Sequence, residues 1–352
     1  MFFSIKNKCY MNLDIEKNLI PINKSVFNIR TLNQCIQDGA KQPDLEYIID
    51  RLIEEGIGVY FAKSNQGKTT LGVQMLDDIA LGRNSIANLR TNKRTCLYID
   101  CEMDDRQIKN RYTDKDGNHK QFSENFYRAT LTINILEKDF LKNLIQSIKR
   151  SVLEYNIDFL LIDNLMTIIY DLNKPNLVLE FMLGLKKLRE ETTISILIIA
   201  HPRKEIDLNQ EMDQNDIFGS SYIGNFLDYV IGMRRSRSNP KQVILRLLKT
   251  RMDENHFNSE NVLVLELQNK NGIPVFEFIK FDSETNHLNN IGTDFIKSDE
   301  KMVSELDIIK KCKTLGIANT TIAKILSISE KTVRNKLKLL EIDSQQLMLK
   351  SE

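Results

Sequence analysis

No Cys-x-x-Cys pair occurs in this chain, and its five cysteines (Cys9, Cys35, Cys96, Cys101 and Cys312) are odd in number and scattered. The four histidines, His119, His201, His256 and His287, are as widely dispersed. These spacings exclude a zinc finger, and free thiols in a reducing compartment are the expected state. Any apolar run near the roughly 18 residues of a membrane span is also missing. The longest, around Ile196 to Ala200, has the length of a strand. The start, Met1 to Lys8, has no long apolar segment after its charges and so does not read as a secretory leader. A soluble, cytoplasmic protein with no membrane partner is expected. A charge excess of one sign is absent too: 49 Lys and Arg face 48 Asp and Glu, for a net charge of +1. That excludes a uniformly basic nucleic-acid coat and an acidic tail, but an average can hide a local patch. Neither an internal repeat nor a low-complexity tract occurs.

What is present is ordinary for a globular protein: 352 residues, 41% hydrophobic and 28% charged. The length points to two or three domains. After Pro43, Leu45, Ile48, Ile49, Leu52 and Ile53 recur on one face of a helix, which Gly56 and Gly58 stop. Residues 1–55 thus read as a helical lead. From Gly58 short apolar runs (Val59 to Ala62, Cys96 to Ile99, Phe159 to Ile162, Ile196 to Ala200) alternate with helical patterns at about 68–81, 104–112, 137–154 and 176–190. That rhythm is expected of a parallel sheet covered by helices on both faces. Beyond residue 225 strands take over: Tyr229 to Met233, Val243 to Leu248, Val262 to Leu267 and Val275 to Ile279, with Asn271-Gly272 as a hairpin turn. The expected fold is an α/β core over 56–281, mostly parallel with an antiparallel extension. A polar linker at 282–300 precedes a small all-α module at 301–352, with helices at about 302–314, 319–325 and 330–340.

The sharpest motif follows the strand Val59 to Phe61 and opens a helix: Ala62-Lys63-Ser64-Asn65-Gln66-Gly67-Lys68-Thr69. It matches the phosphate-loop pattern except that Ala62 replaces the leading glycine. Such a loop surrounds phosphates with backbone amides, and the helix start adds its positive end. Gly67 permits close approach, Lys68 supplies charge to the β and γ oxygens, and Thr69 supplies a hydroxyl to Mg2+. The candidate cradle runs through Thr70, with ATP and Mg2+ as the expected cofactors. Asp163 ends the apolar strand Phe159 to Ile162, where a second magnesium ligand is needed, and faces the same crevice as Lys68. Asp100 and Glu102 close the strand Leu97 to Ile99, and either could polarise the attacking water. His201, after Ile196 to Ala200, is placed to sense the γ-phosphate by a hydrogen bond.

Together these elements resemble the RecA-like ATPase core, in particular the hexameric replicative helicases and the plasmid RepA-like helicase group, over about residues 40–280. The segment Tyr98-Ile99-Asp100-Cys101-Glu102-Met103 resembles that family's signature, which implies Glu102 as the catalytic base rather than Asp100. Phe218-Gly219-Ser220-Ser221, followed by Asp228, resembles the segment beyond the family's histidine motif. Leu248-Lys249-Thr250-Arg251 resembles its Lys-x-Arg finger, which reaches a neighbouring subunit's γ-phosphate. The resemblance therefore implies a homo-oligomer, a hexamer by preference, with single-stranded DNA in a central channel. Glu205 to Asp216 lies where such proteins carry a mobile loop near the channel. Its acidic residues (Glu205, Asp207, Glu211, Asp213, Asp216) outnumber Arg203 and Lys204, and carboxylates repel DNA phosphates. Only about 40 residues precede the matched region, where bacterial replicative helicases carry a large helical domain, so a RepA-like or regulatory relative is the better match.

The concealed patch lies near the end. Residues 310–338 carry Lys310, Lys311, Lys313, Lys324, Lys331, Arg334, Lys336 and Lys338 against the lone Glu330, a local charge of +7. Ile322, Ile325, Leu326, Ile328, Val333 and Leu337 are spaced for a small helical core. The pattern resembles a helix-turn-helix: Thr320 to Leu326, the turn Ser327-Ile328, then a recognition helix from Glu330 capped by Ser329. Lys331, Arg334, Asn335 and Lys338 are its candidate contacts to base edges or phosphates of duplex DNA. The expected activity is a ring-forming, ATP-hydrolysing DNA translocase or helicase serving replication of a plasmid, phage or similar element. An ATP-regulated DNA-binding protein without unwinding activity is the alternative. A small-molecule kinase fits less well, because the strand-rich end lacks an evident lid.

Overall fold

The computed structural model describes residues 27–132, 136–137, 139–169, 175–203, 207, 209–217, 223–252 and 254–288, with residues 309, 313, 318–325, 330, 332–334 and 337 nearer the C-terminus. The chain divides into two compact units, with the break between Leu45 and Glu46. In the first, helix α1 (Leu32–Gly39) starts at a capping box. Thr31 Oγ1 accepts from Gln34 N at 3.2 Å, and Gln34 Oε1 accepts from Thr31 N at 3.0 Å.

The second unit opens with a correction. The helix expected over 45–53 is a two-stranded antiparallel hairpin, β1 (Tyr47–Ile49) and β2 (Ile53–Glu54). Arg51 has φ 58°, a left-handed turn that breaks a helical ladder, and Leu45 is 57% exposed rather than sharing an apolar face. The isoleucines are β-branched and favour extended backbone. Ile48, Ile49, Leu52 and Ile53 all enter the main hydrophobic core.

One nine-stranded sheet then organises everything that matters for the site. Its strands are β3 (Ile57–Phe61), β4 (Cys96–Asp100), β5 (Phe126–Thr130), β6 (Phe159–Asp163), β7 (Ser195–Ala200), β8 (Tyr229–Arg235), β9 (Gln242–Lys249), β10 (Val262–Lys270) and β11 (Ile273–Asp282). They lie in the order β11-β10-β9-β8-β3-β7-β6-β4-β5. From β8 to β5 neighbours are parallel; β9, β10 and β11 add antiparallel. The mostly parallel sheet with an antiparallel extension is thus present. The turn between β10 and β11 has φ 51° at Asn271 and 101° at Gly272, the positive angles that make Asn-Gly a hairpin turn.

Helices α2 (Lys68–Leu81), α3 (Asp105–Arg111), α4 (Phe140–Tyr155), α5 (Leu165–Ile168) and α6 (Pro175–Thr192) complete the core. Strand side chains alternate between two buried layers. Leu197 and Ile199 of β7 join Leu71, Leu76 and Ile79 of α2, whereas Ile196 and Ile198 join Leu144 and Ile148 of α4 and Phe181 and Leu185 of α6. Burial on both faces explains why these strands read as unbroken apolar runs. Gly58 is needed where β3 meets β8: a Cβ there would lie 2.1 Å from the Tyr229 ring.

Among the C-terminal residues described, helix α7 (Asn319–Ile325) coincides with the expected 319–325. Ile309, Ile322, Ala323 and Val333 form a small buried cluster, with Leu337 packed against it. The turn Ser327-Ile328 and the cap Ser329 lie outside the described residues, as does most of the expected 302–314 helix. Among the described residues no helix is long and apolar enough to cross a membrane, and Cys35, Cys96 and Cys101 are free.

Candidate active site at the carboxyl ends of the parallel strands

The loop from Ala62 to Gly67 turns β3 into α2 through two left-handed residues, Asn65 (φ 61°) and Gly67 (φ 89°). Gly67 has a second reason to be glycine, since a Cβ would lie 2.7 Å from the Phe276 ring. Phe276 is held there by Gln74 of α2, whose amide donates to Phe276 O at 2.9 Å and accepts from Phe276 N at 2.8 Å. No side chain caps the first turn of α2, which leaves its amides and positive end for an anion. Lys68 folds back over the loop, donating to Ala62 O at 2.8 Å and Lys63 O at 3.0 Å. Burial lowers its pKa, while the charges of Asp163 and Glu102 raise it in part. Lys63 and Gln66 are half-buried, Ser64 and Asn65 exposed, and Thr70 buried.

Asp163, at the end of β6, is 1% exposed, and its Oδ2 accepts from Thr69 Oγ1 at 2.6 Å and from Tyr98 OH at 3.3 Å. Burial pushes its pKa up to about 6; the Thr69 bond opposes this, and the charges of Glu102 and Asp100 add to it. A buried carboxylate and an adjacent hydroxyl are oxygen donors of the kind magnesium takes, so this pair fits the ion that the loop chemistry calls for.

The two acidic residues at the end of β4 differ sharply. Asp100 is 2% exposed and both its oxygens are engaged: Oδ1 accepts from Glu102 N and Met103 N, each at 3.0 Å, and Oδ2 from Arg128 Nε at 3.0 Å. Arg128, on β5, also bonds Asp105 Oδ1 at 2.6 Å and Met103 O. Asp100 therefore shapes the turn. Glu102 is exposed, and its Oε1 accepts a hydrogen bond from the Asn164 amide. Asn164 is itself fixed, because its Oδ1 accepts from Thr167 N at 3.1 Å. Neither Asn164 nor Arg128 carries a local sequence signal, and neither is among the residues expected from the sequence. The only clue to Asn164 is its place next to Asp163.

His201 follows β7 and is half-buried; burial first, then the Lys68 charge, lowers its pKa, which keeps the ring neutral at pH 7. Because β3, β7, β6 and β4 are parallel and successive, the loop, His201, Asp163 and Glu102 line up along one edge of the sheet.

Lys249 and Arg251 are not brought to this edge. β9 runs antiparallel to β8, and Lys249 pairs with Val230 near the start of β8, so both cations stand at the opposite end of the sheet. Lys249 Nζ donates to Gly224 O at 2.9 Å, and its pKa is lowered by burial and by Arg251. Arg251, 59% exposed in its side chain, pairs with Asp228 Oδ1 at 2.9 Å. Buried Glu54 accepts from the Arg251 and Met252 amides and the Thr250 hydroxyl, fixing the turn.

Of the candidate DNA contacts, Arg334 is exposed and paired with Glu330 at 2.6 Å. Lys331, Asn335 and Lys338 lie outside the described residues, as do Phe218 to Ser221 and Lys204 to Ile206.

Residues 27–207, just over half of the chain, match the family model described as the AAA domain, and the chain belongs to that family. It is accordingly an ATP-binding and ATP-hydrolysing enzyme with a mixed α/β core of the RecA-like kind. A solved structure, the KaiC-like protein PH0186 from the archaeon Pyrococcus horikoshii OT3, is similar at 13% identity and a TM-score of 0.44, covering 64% of this chain and 90% of that one. No curated protein matches.

One stability consequence follows from Asp163. Between its ordinary 3.8 and about 6 the native state keeps a proton that the unfolded chain has released. Stability therefore falls as pH rises through that window, by about 3 kcal/mol, and stays lower above it. Asp163→Asn removes this penalty. Without nucleotide or Mg2+, denaturant unfolding across pH 4–8 is expected to show the variant gaining on the wild type from pH 4 to 6 and holding the advantage above. A pH-independent difference would contradict the raised pKa.

Proposed function

We propose that this enzyme is a ring-forming DNA translocase or helicase of the plasmid RepA-like group, acting in replication of a plasmid, phage or similar element. The observation that carries this reading is the separation of Lys249 and Arg251 from the loop by the length of the sheet. A cation so placed serves no phosphate in its own subunit, but a head-to-tail neighbour can bring it to the next subunit's loop. Each site is then completed by Arg251 of an adjacent copy, and a closed ring, a hexamer by preference, satisfies every copy.

Within one subunit the geometry supports the following roles. Ala62 to Thr70 cradles the phosphates, and Lys68 reaches the β and γ oxygens by leaving its two loop carbonyls. Thr69 and Asp163 would hold Mg2+, which neutralises phosphate charge when bound. Glu102, aimed by Asn164, takes the proton of the attacking water. Neutral His201 reports the γ-phosphate by a hydrogen bond. Arg251 of the neighbour, with Lys249 behind it, stabilises charge developing in transfer. We assign residues 56–281 to this motor and 301–352 to a helix-turn-helix joined by the 282–300 linker. Lys331, Arg334, Asn335 and Lys338 contact duplex DNA, and Arg334 must exchange Glu330 for a phosphate to do so.

A second reading, an ATP-regulated DNA-binding protein that does not unwind, is favoured by the acidic 207–216 segment. Glu211 and Asp216 there are tied to Arg246 at 3.0 Å and Arg203 at 3.4 Å, so these cations are not free for DNA. ATPase assays with and without single-stranded DNA, run beside unwinding of a forked duplex, separate the two. Stimulated hydrolysis with strand separation is expected. Duplex binding lost on removing residues 301–352, with no unwinding and no stimulation, would establish the second reading instead.

A further inference from the structure

The turn that carries Glu102 runs from the end of β4 at Asp100 to the start of α3 at Asp105. It belongs to neither element, so its shape depends on what its polar groups bond. Arg128 reaches it from the neighbouring strand. In the parallel ladder Arg128 pairs with Tyr98, and Thr130 with Asp100. Side chains two residues apart share a face of the sheet, so Arg128 emerges beside Asp100. Its guanidinium bonds the turn at three points: Nε to Asp100 Oδ2 at 3.0 Å, Nη1 to Asp105 Oδ1 at 2.6 Å, and Nη2 to the Met103 carbonyl. The three are unequal. The Asp105 side chain is 94% exposed, where an ion pair counts for little. The Asp100 side chain is fully buried, and its other oxygen holds the amides of Glu102 and Met103.

A buried carboxylate without a counter-charge is costly, so Asp100 keeps this orientation only while Arg128 faces it. Bonds therefore run without a break from β5 through Arg128 and Asp100 to the backbone of Glu102. Glu102 is fixed twice, at its backbone by Asp100 and at its carboxylate by the Asn164 amide. We propose that Arg128 is a positioning residue for the base. It holds Asp100 and the Met103 carbonyl so that Glu102 stands where a water at the phosphate loop can be activated. A planar guanidinium serves several acceptors at once from a rigid fork, which an ammonium does not. This rests on the reading of Glu102 as the base.

Single-turnover hydrolysis and equilibrium ATP binding, both with Mg2+, test it on full-length wild type, Arg128→Lys and Asp100→Asn. Each variant is measured with Glu102 intact and in the Glu102→Gln background. Lysine keeps a positive charge opposite Asp100 and so spares the fold, but it bonds fewer of the three acceptors. Asparagine keeps an oxygen for the two amides and gives up the charge that Arg128 grips. Each is expected to bind ATP within about twofold of wild type and to slow the chemical step about tenfold to a hundredfold, the scale of a misplaced catalytic group. In the Glu102→Gln background each is expected to add less than about twofold, because the group being positioned is already gone. A wild-type rate in either variant would overturn the proposal. Losses that multiply with that of Glu102→Gln would overturn it too, by showing that Arg128 acts independently of the base. So would ATP binding that falls as far as the rate, since the pair would then only maintain the fold. Wild-type hydrolysis in Glu102→Gln alone would refute the base reading itself, and this proposal with it.

Discussion

Glu102→Gln is expected to lower steady-state ATP hydrolysis by about a hundredfold to ten-thousandfold, the usual contribution of a positioned general base, with ATP still bound. Glutamine keeps an oxygen to accept from the Asn164 amide, which bonds Glu102 Oε1 in the wild type, so the side chain stays in place without the ability to take a proton. Asp100 is the rival by sequence, two residues away on the same strand end. Its buried carboxylate is engaged at both oxygens by two backbone amides and Arg128, a structural role in the turn rather than one at the phosphate. Single-turnover hydrolysis with a parallel nucleotide-binding measurement checks the assignment. Wild-type turnover in Glu102→Gln would place the base elsewhere.

Arg251→Ala is expected to cost as much or more, because a cation supplied to the transferring phosphoryl group by a neighbour is worth about 10³–10⁵ in turnover. Asp228 is the resting partner of this side chain, and its other oxygen accepts from Ile57 N at 2.7 Å. Asp228 is thus fixed to the start of β3 and keeps its own support when Arg251 is gone. The guanidinium is exposed and can be solvated when it leaves that pair, while the Ile57 amide still holds the buried Asp228. The variant should fold and bind ATP but turn over slowly at every protein concentration. Unchanged turnover would exclude a shared site.

The parts of the site that the sequence displays are the local ones. The run from Ala62 to Thr69 is contiguous, its strand and helix are strongly patterned, and α2 spans 68–81 as its spacing suggests. Asp163 and the acidic end of β4 are visible because buried parallel strands read as apolar runs that stop abruptly at a charge. β5 escaped because it lies at the sheet edge, where Phe126 to Thr130 alternate between exposed and half-buried without a continuous apolar face. The hairpin at 47–54 resembles a helix in the sequence because four buried residues spaced i, i+1, i+4, i+5 suit a helical stripe as well as two short strands, and its turn uses Arg51 rather than glycine or asparagine. Asn164 and Arg128 act across strands that are distant in the chain, and only the strand order reveals what they face.

That same order separates the loop and Glu102 at one end of the sheet from Arg251 at the other, and the proposed site shared between subunits rests on it. Mixing two inactive proteins tests this most directly. In a mixed ring, an Arg251→Ala subunit keeps its own loop and Glu102 and receives Arg251 from a Glu102→Gln neighbour, so intact sites are rebuilt. The expected result is hydrolysis that rises well above the sum of the two variants and peaks near equal proportions. Activity that stays at that sum at every ratio, in subunits shown to assemble together, would contradict a shared site.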